Sequence, residues 1–339
     1  MMTFRRASFA RTLGLASAAT LAACGPTDEP SGQTVQTTAQ PDAGESVRTA
    51  DPYARGYTDE DFPRVRELAE GVYSYEQLRS AGDERFTTVS LIVVSDDGVL
   101  IGDGQGSVEE TERLVSHVTE LTDEPITHVV IGSDHGDHTA GNSAFPDGVR
   151  YYAHPTSAEA LRRTSESRGV DDPPMPLATD LVEDREVLQL GDKTVELLFL
   201  GRAHTGGDLA VHLPEEKILF MSEAYLHRVF PAMRSAFPSE WVEMIERAQA
   251  MDVDVYVPGH GFVDSPEILE DELEVFRQAV VQVIEEAERL HEEGVPLETA
   301  QEQASFGDLE TWSLRSSQGP VAIRQVYAEL NGELPGGDR

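Results

Sequence analysis

The pattern of apolar and polar residues predicts a mixed α/β domain over residues 62–264. Apolar runs rich in β-branched residues recur there and predict strands, and Asp96-Asp97-Gly98 predicts a hairpin turn. Two segments instead have apolar residues three and four positions apart, which predicts amphipathic helices. The strand-like runs include "FTTVSLIVVS", "ITHVVIG", "REVLQL", "TVELLFL", "LAVHL", "KILFMS" and the start of "VDVYVPGHG", and the helical segments are "EETERLVSHVTEL" and "SEWVEMIERAQAM". Two β-rich halves bracketed by helices suggest sheet-on-sheet packing with the helices outside.

After Asp264 the pattern becomes helical. Ser265-Pro266 is a good helix entry, because proline is tolerated in the first turn. An apolar stripe then runs from Leu273 to Leu290, and two shorter helical stretches follow at 297–304 and 318–331. We predict a helical C-terminal extension over 265–335 that either packs on the core or forms a dimer interface.

The N-terminus has the features of an export signal and a tether. Residues 1–24 combine arginines with a short apolar run ending in Leu-Ala-Ala-Cys, which resembles the lipobox of bacterial lipoproteins. That resemblance implies a lipid on Cys24 and anchoring at the cell envelope, on its periplasmic or extracellular face. The paired arginines also resemble a twin-arginine signal. Residues 25–61 are rich in Pro, Gly, Ser and Thr and lack an apolar face, so we expect a flexible tether.

Composition narrows the partners and the chemistry. The formal net charge is −36, from 62 acidic and 26 basic residues, which argues against nucleic acid as a partner. Cys24 is the only cysteine, so the chain has neither an internal disulfide nor a cysteine-based zinc site. A small-molecule substrate is the expected partner, together with the membrane through the lipid anchor.

Histidines and carboxylates follow four of the predicted strands. "SDHGDHTAGN" follows the strand "ITHVVIG", and the remaining candidates lie in "GRAHTGGD", "LFMSE" and "PGHG". Imidazole nitrogens and carboxylate oxygens are the ligands of hydrolytic zinc sites, which keep one position open for water. The candidate metal ligands are His135, Asp137, His138, His204, Glu223 and His260.

Taken together, these four ordered segments resemble the metallo-β-lactamase superfamily, over roughly residues 70–264. The resemblance implies an αββα four-layer sandwich with a dinuclear metal site. The first metal would take the Ser133 position, His135 and His204. The second would take Asp137, His138 and His260, and an acid at Glu223 would bridge the two. The expected cofactor is Zn²⁺, one ion or two, with iron or manganese as alternatives.

Two positions depart from the family pattern. Ser133 replaces a histidine and is a degenerate ligand position, and Glu223 replaces a bridging aspartate with a longer side chain. One subclass of metallo-β-lactamases lacks the same histidine and uses a single zinc in its second site. Those enzymes lack a bridging acid, so Glu223 makes the chain more similar to glyoxalase-like and lactonase-like members.

The resemblance implies a metal-dependent hydrolase that cleaves an ester, thioester, lactone or amide bond. Asp137 would be catalytic, orienting the attacking water and carrying its proton to the leaving group. Asp103 and Asp208 would orient the ligand loops, and Tyr225 and His227 would line a substrate pocket. The alternative is a catalytically weak scaffold lipoprotein that retains the fold, an interpretation supported mainly by Ser133.

Overall fold

The computed structural model describes residues 47–169 and 175–335. The predicted signal, its Cys24 and most of the predicted tether lie outside these residues. Within the described ranges, no helix is both long and apolar enough to cross a membrane.

One sheet has seven strands that lie side by side in chain order. The first four pair in antiparallel fashion and the last four are parallel. The predicted hairpin turn is confirmed, because Ser95 pairs with Gly98 across Asp96 and Asp97. The strands are β1 Arg64–Ala69, β2 Val72–Ala81, β3 Glu84–Ser95, β4 Gly98–Gly102, β5 Ile126–Val130, β6 Arg150–Ala153 and β7 Asp180–Leu181.

A second sheet has five strands in the order β12-β11-β10-β9-β8. Only its β11–β12 pair is parallel. All five strands fall on segments predicted from the sequence. They are β8 Arg185–Leu190, β9 Lys193–Leu198, β10 Ala210–Leu213, β11 Ile218–Phe220 and β12 Val255–Val257.

The helices include all those predicted from apolar spacing. Ser107 caps the first of them, accepting a hydrogen bond from the backbone N–H of Glu110. The helices are α1 Val108–Leu121, α2 Gly136–Thr139, α3 Pro155–Ser167, α4 Pro238–Gln249, α5 Pro266–Glu292, α6 Leu297–Gln303 and α7 Arg315–Leu330.

Side-chain alternation along the first sheet separates two apolar layers. On β3, Leu91 belongs to the core shared by the two sheets, whereas its neighbour Ile92 belongs to a second cluster that contains Leu114 of α1 and Leu161 of α3. Because successive residues of a strand point to opposite faces, helices and the other sheet cover the two sides. Helices α4, α5 and α7 contribute to the shared core, which includes Trp241 and many residues of the second sheet. The fold is therefore the expected αββα sandwich.

The predicted C-terminal extension packs on this same core. Leu273, Phe276 and Val280 of α5 are fully buried among residues of both sheets. Helix α5 contacts β12, α4 and α7. Of the two arrangements left open by the sequence, packing on the core is therefore present, and the apolar stripe is used within the chain.

Residues 47–61 are attached to the domain at several points although most of them are exposed, so the expectation of a flexible tether is wrong for this part of 25–61. Ala50 is fully buried, and the Arg55 guanidinium lies 2.9 Å from a carboxylate oxygen of Asp264. The Tyr57 ring stacks on Phe262, with centroids 5.4 Å apart. Composition missed this because the segment attaches through isolated contacts rather than through a periodic apolar face.

A buried carboxylate in β2 makes stability sensitive to pH. Burial raises the pKa of Glu76 from 4.5 to about 7, although Arg64 lies 2.7 Å away and opposes the rise. The folded state therefore holds this proton more tightly than the unfolded state, and its stabilising contribution is lost as pH rises from 4.5 through 7. We expect Glu76→Gln to remove about 3 kcal/mol of that pH dependence. Urea unfolding of both proteins at pH 4.5, 6 and 8 measures it, and parallel pH profiles would contradict the assignment.

Candidate metal centre

All six predicted ligands lie at one edge of the sandwich, just after strands end. His135, Asp137 and His138 follow β5 and occupy α2 and its N-terminal flank. The other three follow β9, β11 and β12, at His204, Glu223 and His260. The adjacent carboxyl ends of these strands thus deliver side chains from four separate segments to one point.

Two glycines let the ligand loops approach each other. A Cβ atom on Gly132 would lie 2.6 Å from the Ser222 Cβ, and one on Gly259 would lie 2.4 Å from the Ser222 backbone carbon. Both contacts are too close for any larger residue. The loops that carry His135, Glu223 and His260 can therefore meet only because these two positions lack side chains.

The ligand atoms form two groups that share Glu223. One group contains Asp137, His138, Glu223 and His260, and the other contains His135, His204 and Glu223, with all atoms of a group within 4.8 Å of one another. Glu223 Oε1 lies 3.2 Å from both His204 Nε2 and His260 Nε2. Its Oε2 lies 3.0 Å from His135 Nδ1. The carboxylate is therefore placed between the two groups.

The spacing within the four-ligand group fits a zinc-sized cation, and the three-ligand group is slightly tighter. Ligand atoms about 2.0–2.1 Å from a tetrahedral zinc ion lie about 3.3–3.4 Å from each other. In the four-ligand group, His260 Nε2 is 3.3 Å from His138 Nε2 and 3.3 Å from Asp137 Oδ2. In the three-ligand group, His135 Nδ1 is 2.9 Å from His204 Nε2. The donor set thus suits a metal ion in either group, and the spacing of the four-ligand group matches zinc without adjustment.

Ser133 occupies the degenerate position and hydrogen bonds to the shared carboxylate. Its hydroxyl donates to Glu223 Oε2 at 2.5 Å, and its side chain is fully buried. The family pattern has a histidine at position 133. Here the longer side chain of Glu223 brings its Oε2 toward His135 instead. The three-ligand group therefore includes the Glu223 carboxylate, and the Ser133 hydroxyl hydrogen bonds to that carboxylate.

The electrostatics of the cluster depend on this mixture of rings and acids. Burial acts to raise the pKa of Glu223, but the His204, His135 and His138 rings outweigh it and hold that pKa well below its usual value. Burial acts to lower the pKa of His260, but Asp137 and Glu223 raise it to about 10. Without a cation, these acids therefore favour the protonated form of His260, whereas burial lowers the pKa of His204.

Asp103 is buried and contacts the loop at Gly132, the His138 ring and the Ser222 hydroxyl. Its Oδ1 accepts a 2.6 Å hydrogen bond from the backbone N–H of Gly132, and Oδ2 lies 3.0 Å from His138 Nδ1. The Ser222 hydroxyl also donates to Oδ2. A carboxylate on the far nitrogen of a histidine fixes the ring and its tautomer for metal binding. These contacts are those expected of a residue that orients ligand loops.

Asp208 holds the turn that follows His204. Its carboxylate accepts from the Thr205 backbone N–H at 2.7 Å and from the Thr205 hydroxyl at 2.8 Å. Burial raises the pKa of Asp208 to about 7, against the opposing effect of these hydrogen bonds. The turn after His204 is thereby held closed.

A cavity of about 290 Å³ opens onto the ligands. His135, Asp137, His204, Glu223 and His260 lie on its floor, while His138 is fully buried below. The remaining lining residues come largely from β2, from the loop after Glu223 and from α7. They include Arg79, Phe86, Leu226, Val229, Arg234, Leu314, Gln318, Val321 and Arg324. Apart from the ligands, sequence patterns did not indicate these positions.

The prediction that Tyr225 and His227 line the pocket is wrong. Both are fully buried and do not line the cavity. The Tyr225 hydroxyl donates to the Leu269 carbonyl, and His227 Nδ1 lies 2.7 Å from the Phe262 carbonyl oxygen. Because side chains alternate in this extended segment, both rings point into the core and Leu226 between them faces the cavity.

Several proteins are similar in sequence to part of this chain, at low identity. The chain is 27% identical over 177 residues to the 2,4-dinitroanisole O-demethylase subunit alpha of Nocardioides sp. (strain JS1661), and this match spans 50% of the chain and 52% of that relative. It is 23% identical over 219 residues to a metallo-beta-lactamase type 2 of Bacillus sp. (strain 170), covering 63% of the chain and 82% of the relative. It is 23% identical over 296 residues to a linear primary-alkylsulfatase of Pseudomonas sp. (strain ATCC 19151), covering 72% and 56%.

A solved structure and a family model show a similarity to the same kind of protein. A metallo-beta-lactamase from Pontibacter korlensis superposes with a TM-score of 0.56 at 21% identity, covering 63% of the chain and 98% of that structure. The family model described as metallo-beta-lactamase superfamily matches residues 82–260, which is more than half of the chain. The chain belongs to the metallo-beta-lactamase superfamily.

Proposed function

We propose that this protein is a metal-dependent hydrolase that cleaves an ester, thioester, lactone or amide bond of a small molecule. One observation carries the proposal: two ligand groups share Glu223 at the floor of a cavity open to solvent. The three-ligand group, with His135 and His204, leaves room for a further ligand, which is the arrangement of catalytic rather than structural zinc. Zinc is the proposed metal, and iron and manganese take the same types of ligand.

The chain's own residues have distinct tasks in this proposal. A divalent cation at these ligands supplies Lewis acidity, which activates water and polarises the scissile group. Asp137 is only partly buried and lines the cavity, so its carboxylate can accept a proton from water and deliver it to the leaving group. Arg79 Nε lies 3.6 Å from Asp137 Oδ2 and restrains that carboxylate. His260 Nε2 lies 3.3 Å from the same oxygen.

The named relatives widen the range of bonds worth testing. Their names include a β-lactamase, a sulfatase and an O-demethylase, so hydrolysis at acyl carbon and at sulfate esters both occur among proteins similar to this chain. The full-length protein, loaded with zinc, is assayed against 4-nitrophenyl acetate, an acyl thioester, a lactone, nitrocefin and 4-nitrophenyl sulfate. Turnover that chelation abolishes and zinc restores supports the proposal. Absence of turnover in a fully loaded, folded sample favours the scaffold alternative instead.

The second part of the proposal is location: an exported lipoprotein anchored through Cys24. Its support is the sequence of residues 1–24 alone. In a bacterial host, the wild-type chain is expected to partition with membranes and Cys24→Ser to leave them. Equal partitioning of the two proteins would contradict lipid anchoring.

Ser133 gives a test of how the first ligand group works. Ser133→Ala removes the hydroxyl that holds Glu223, and we expect about tenfold weaker metal binding in the His135/His204 group. Ser133→His should also lower metal content rather than raise it, because the site is fully buried and Glu223 Oε2 lies only 2.5 Å from the Ser133 hydroxyl. Competition with a zinc chelator measures both affinities. A gain of metal in Ser133→His would show that the position is a lost ligand that nothing has replaced.

A further inference from the structure

The cavity above the ligands has an apolar wall that does not belong to the metal chemistry. Its apolar side chains are Phe86, Leu226, Val229, Ala232, Leu314 and Val321. Leu314 and Val321 come from α7 and the residue before it, beyond the 82–260 region that matches the family model. The C-terminal extension therefore helps to shape the space in which a substrate would sit.

Three arginines also line this cavity, and within the described ranges two of them have no direct hydrogen bond or ion pair. Arg79 is engaged by Asp137 and by Glu110, whose carboxylate oxygen lies 3.8 Å away. Arg234 and Arg324 are exposed, and within the described ranges neither takes part in a hydrogen bond or ion pair. With 62 acidic residues against 26 basic ones, most arginines of this chain have a carboxylate partner close by. Arg234 acts electrostatically on Asp134 and His135 without a direct ion pair, so both guanidinium groups can still donate hydrogen bonds to a ligand in the cavity.

The two arginines lie on segments that are joined to each other and to the metal ligands. The Gln325 side chain, next to Arg324 on α7, donates to the Ala236 carbonyl at 2.7 Å. Ser235, next to Arg234, has its hydroxyl 3.4 Å from His135 Nε2. This loop and α7 therefore form one side of the cavity, close to the three-ligand group and separate from Arg79 on β2.

We propose that Arg234 and Arg324 bind an anionic group of the substrate, such as a carboxylate or sulfonate, at a distance from the bond that is cleaved. The inference rests on the proposed hydrolase function and narrows it to substrates with a short apolar body and one anionic end. A guanidinium fork matches the oxygens of such groups and binds them through charge-assisted hydrogen bonds. Since the protein as a whole repels anions, a local positive site is needed to admit one.

Calorimetric titration of the zinc-loaded, full-length protein with hexanesulfonate tests the site without any hydrolysis. Sulfonate is a weak metal ligand, so its binding reports on the arginines. We expect Arg234→Gln and Arg324→Gln each to weaken binding by about fivefold to tenfold. Arg113→Gln on α1 is the matched control, because it removes the same charge from an exposed ion pair far along the chain and should bind as the wild type does. Equal affinity in all four proteins would overturn the proposal.

A pair of esters then connects the site to catalysis. Mono-4-nitrophenyl glutarate carries a carboxylate remote from the ester, whereas 4-nitrophenyl butyrate does not. We expect the wild type to prefer the glutarate in kcat/KM, and the arginine variants to lose that preference through KM. Hydrolysis of both esters without preference would overturn the inference and leave the hydrolase function standing. Arginine-dependent sulfonate binding without cleavage of any ester would support the anion site and contradict the hydrolase function.

Discussion

Glu223→Gln is expected to release metal from both ligand groups. The substitution keeps the shape of the side chain but removes the charge that faces His135, His204 and His260. Loss of a partner behind a metal ligand costs about 10–100-fold in affinity, and a carboxylate shared by two groups should cost at least about a hundredfold. The rise in melting temperature that zinc produces in the wild type should disappear, since stabilisation by a ligand follows its affinity. Differential scanning fluorimetry with and without zinc measures this.

Glu216→Gln is the matched control for that variant. Glu216 lies in the turn before β11 and accepts a 2.7 Å hydrogen bond from Lys193, away from the cluster. Its replacement should leave the zinc-dependent shift unchanged. A Glu223→Gln protein that binds and responds to zinc as the control does would contradict the shared-ligand assignment.

Asp137→Asn is expected to lower kcat by about 10²–10⁴-fold, the range typical of losing a general acid–base group. Asparagine cannot carry the proton, and it is a weaker ligand for the group that contains His138 and His260. The His135/His204 group does not include Asp137, so about one metal ion per chain should remain. Steady-state kinetics on whichever ester the wild type cleaves, together with elemental analysis of the same sample, separate these two effects.

The control here is Asp147→Asn, at an exposed turn before β6. It removes the same charge without touching the cluster, and we expect kcat and metal content like those of the wild type. A kcat within about threefold of the wild type for Asp137→Asn would remove Asp137 from the catalytic machinery.

Most strands, helices and ligand positions could be predicted because the patterns that mark them lie within short segments of sequence. The helix α4 has apolar residues at helical spacing, and strands such as "REVLQL" are short runs with apolar residues, so their predicted segments match the structure closely. The ligands could be found because histidines and acids at fixed spacing follow strand ends. Weakly patterned elements were missed: β1 has mostly half-buried residues, and β7 contains only two residues.

The sequence did not indicate the direction in which individual side chains point. Ser222 has a φ of 48°, and the short 3₁₀ turn at Ser222–Ala224 sets which of the following residues face the cavity. Tyr225 and His227 were misplaced for this reason. Arg324 lay at an exposed position of an ordinary helix, where no pattern marks a residue that faces a distant site. The hydrogen bond from Ser133 to Glu223 likewise depends on side-chain reach, which spacing does not encode.

The most direct test of the central claim is the metal content of the full-length protein, purified without chelators and saturated with zinc before desalting. Because Glu223 is shared by both ligand groups, we predict about two ions per chain by elemental mass spectrometry, falling to about one in Asp137→Asn. About one ion in the wild type would show that Glu223 does not compensate for the missing histidine at position 133. A folded sample that retains no metal would contradict the metal centre altogether.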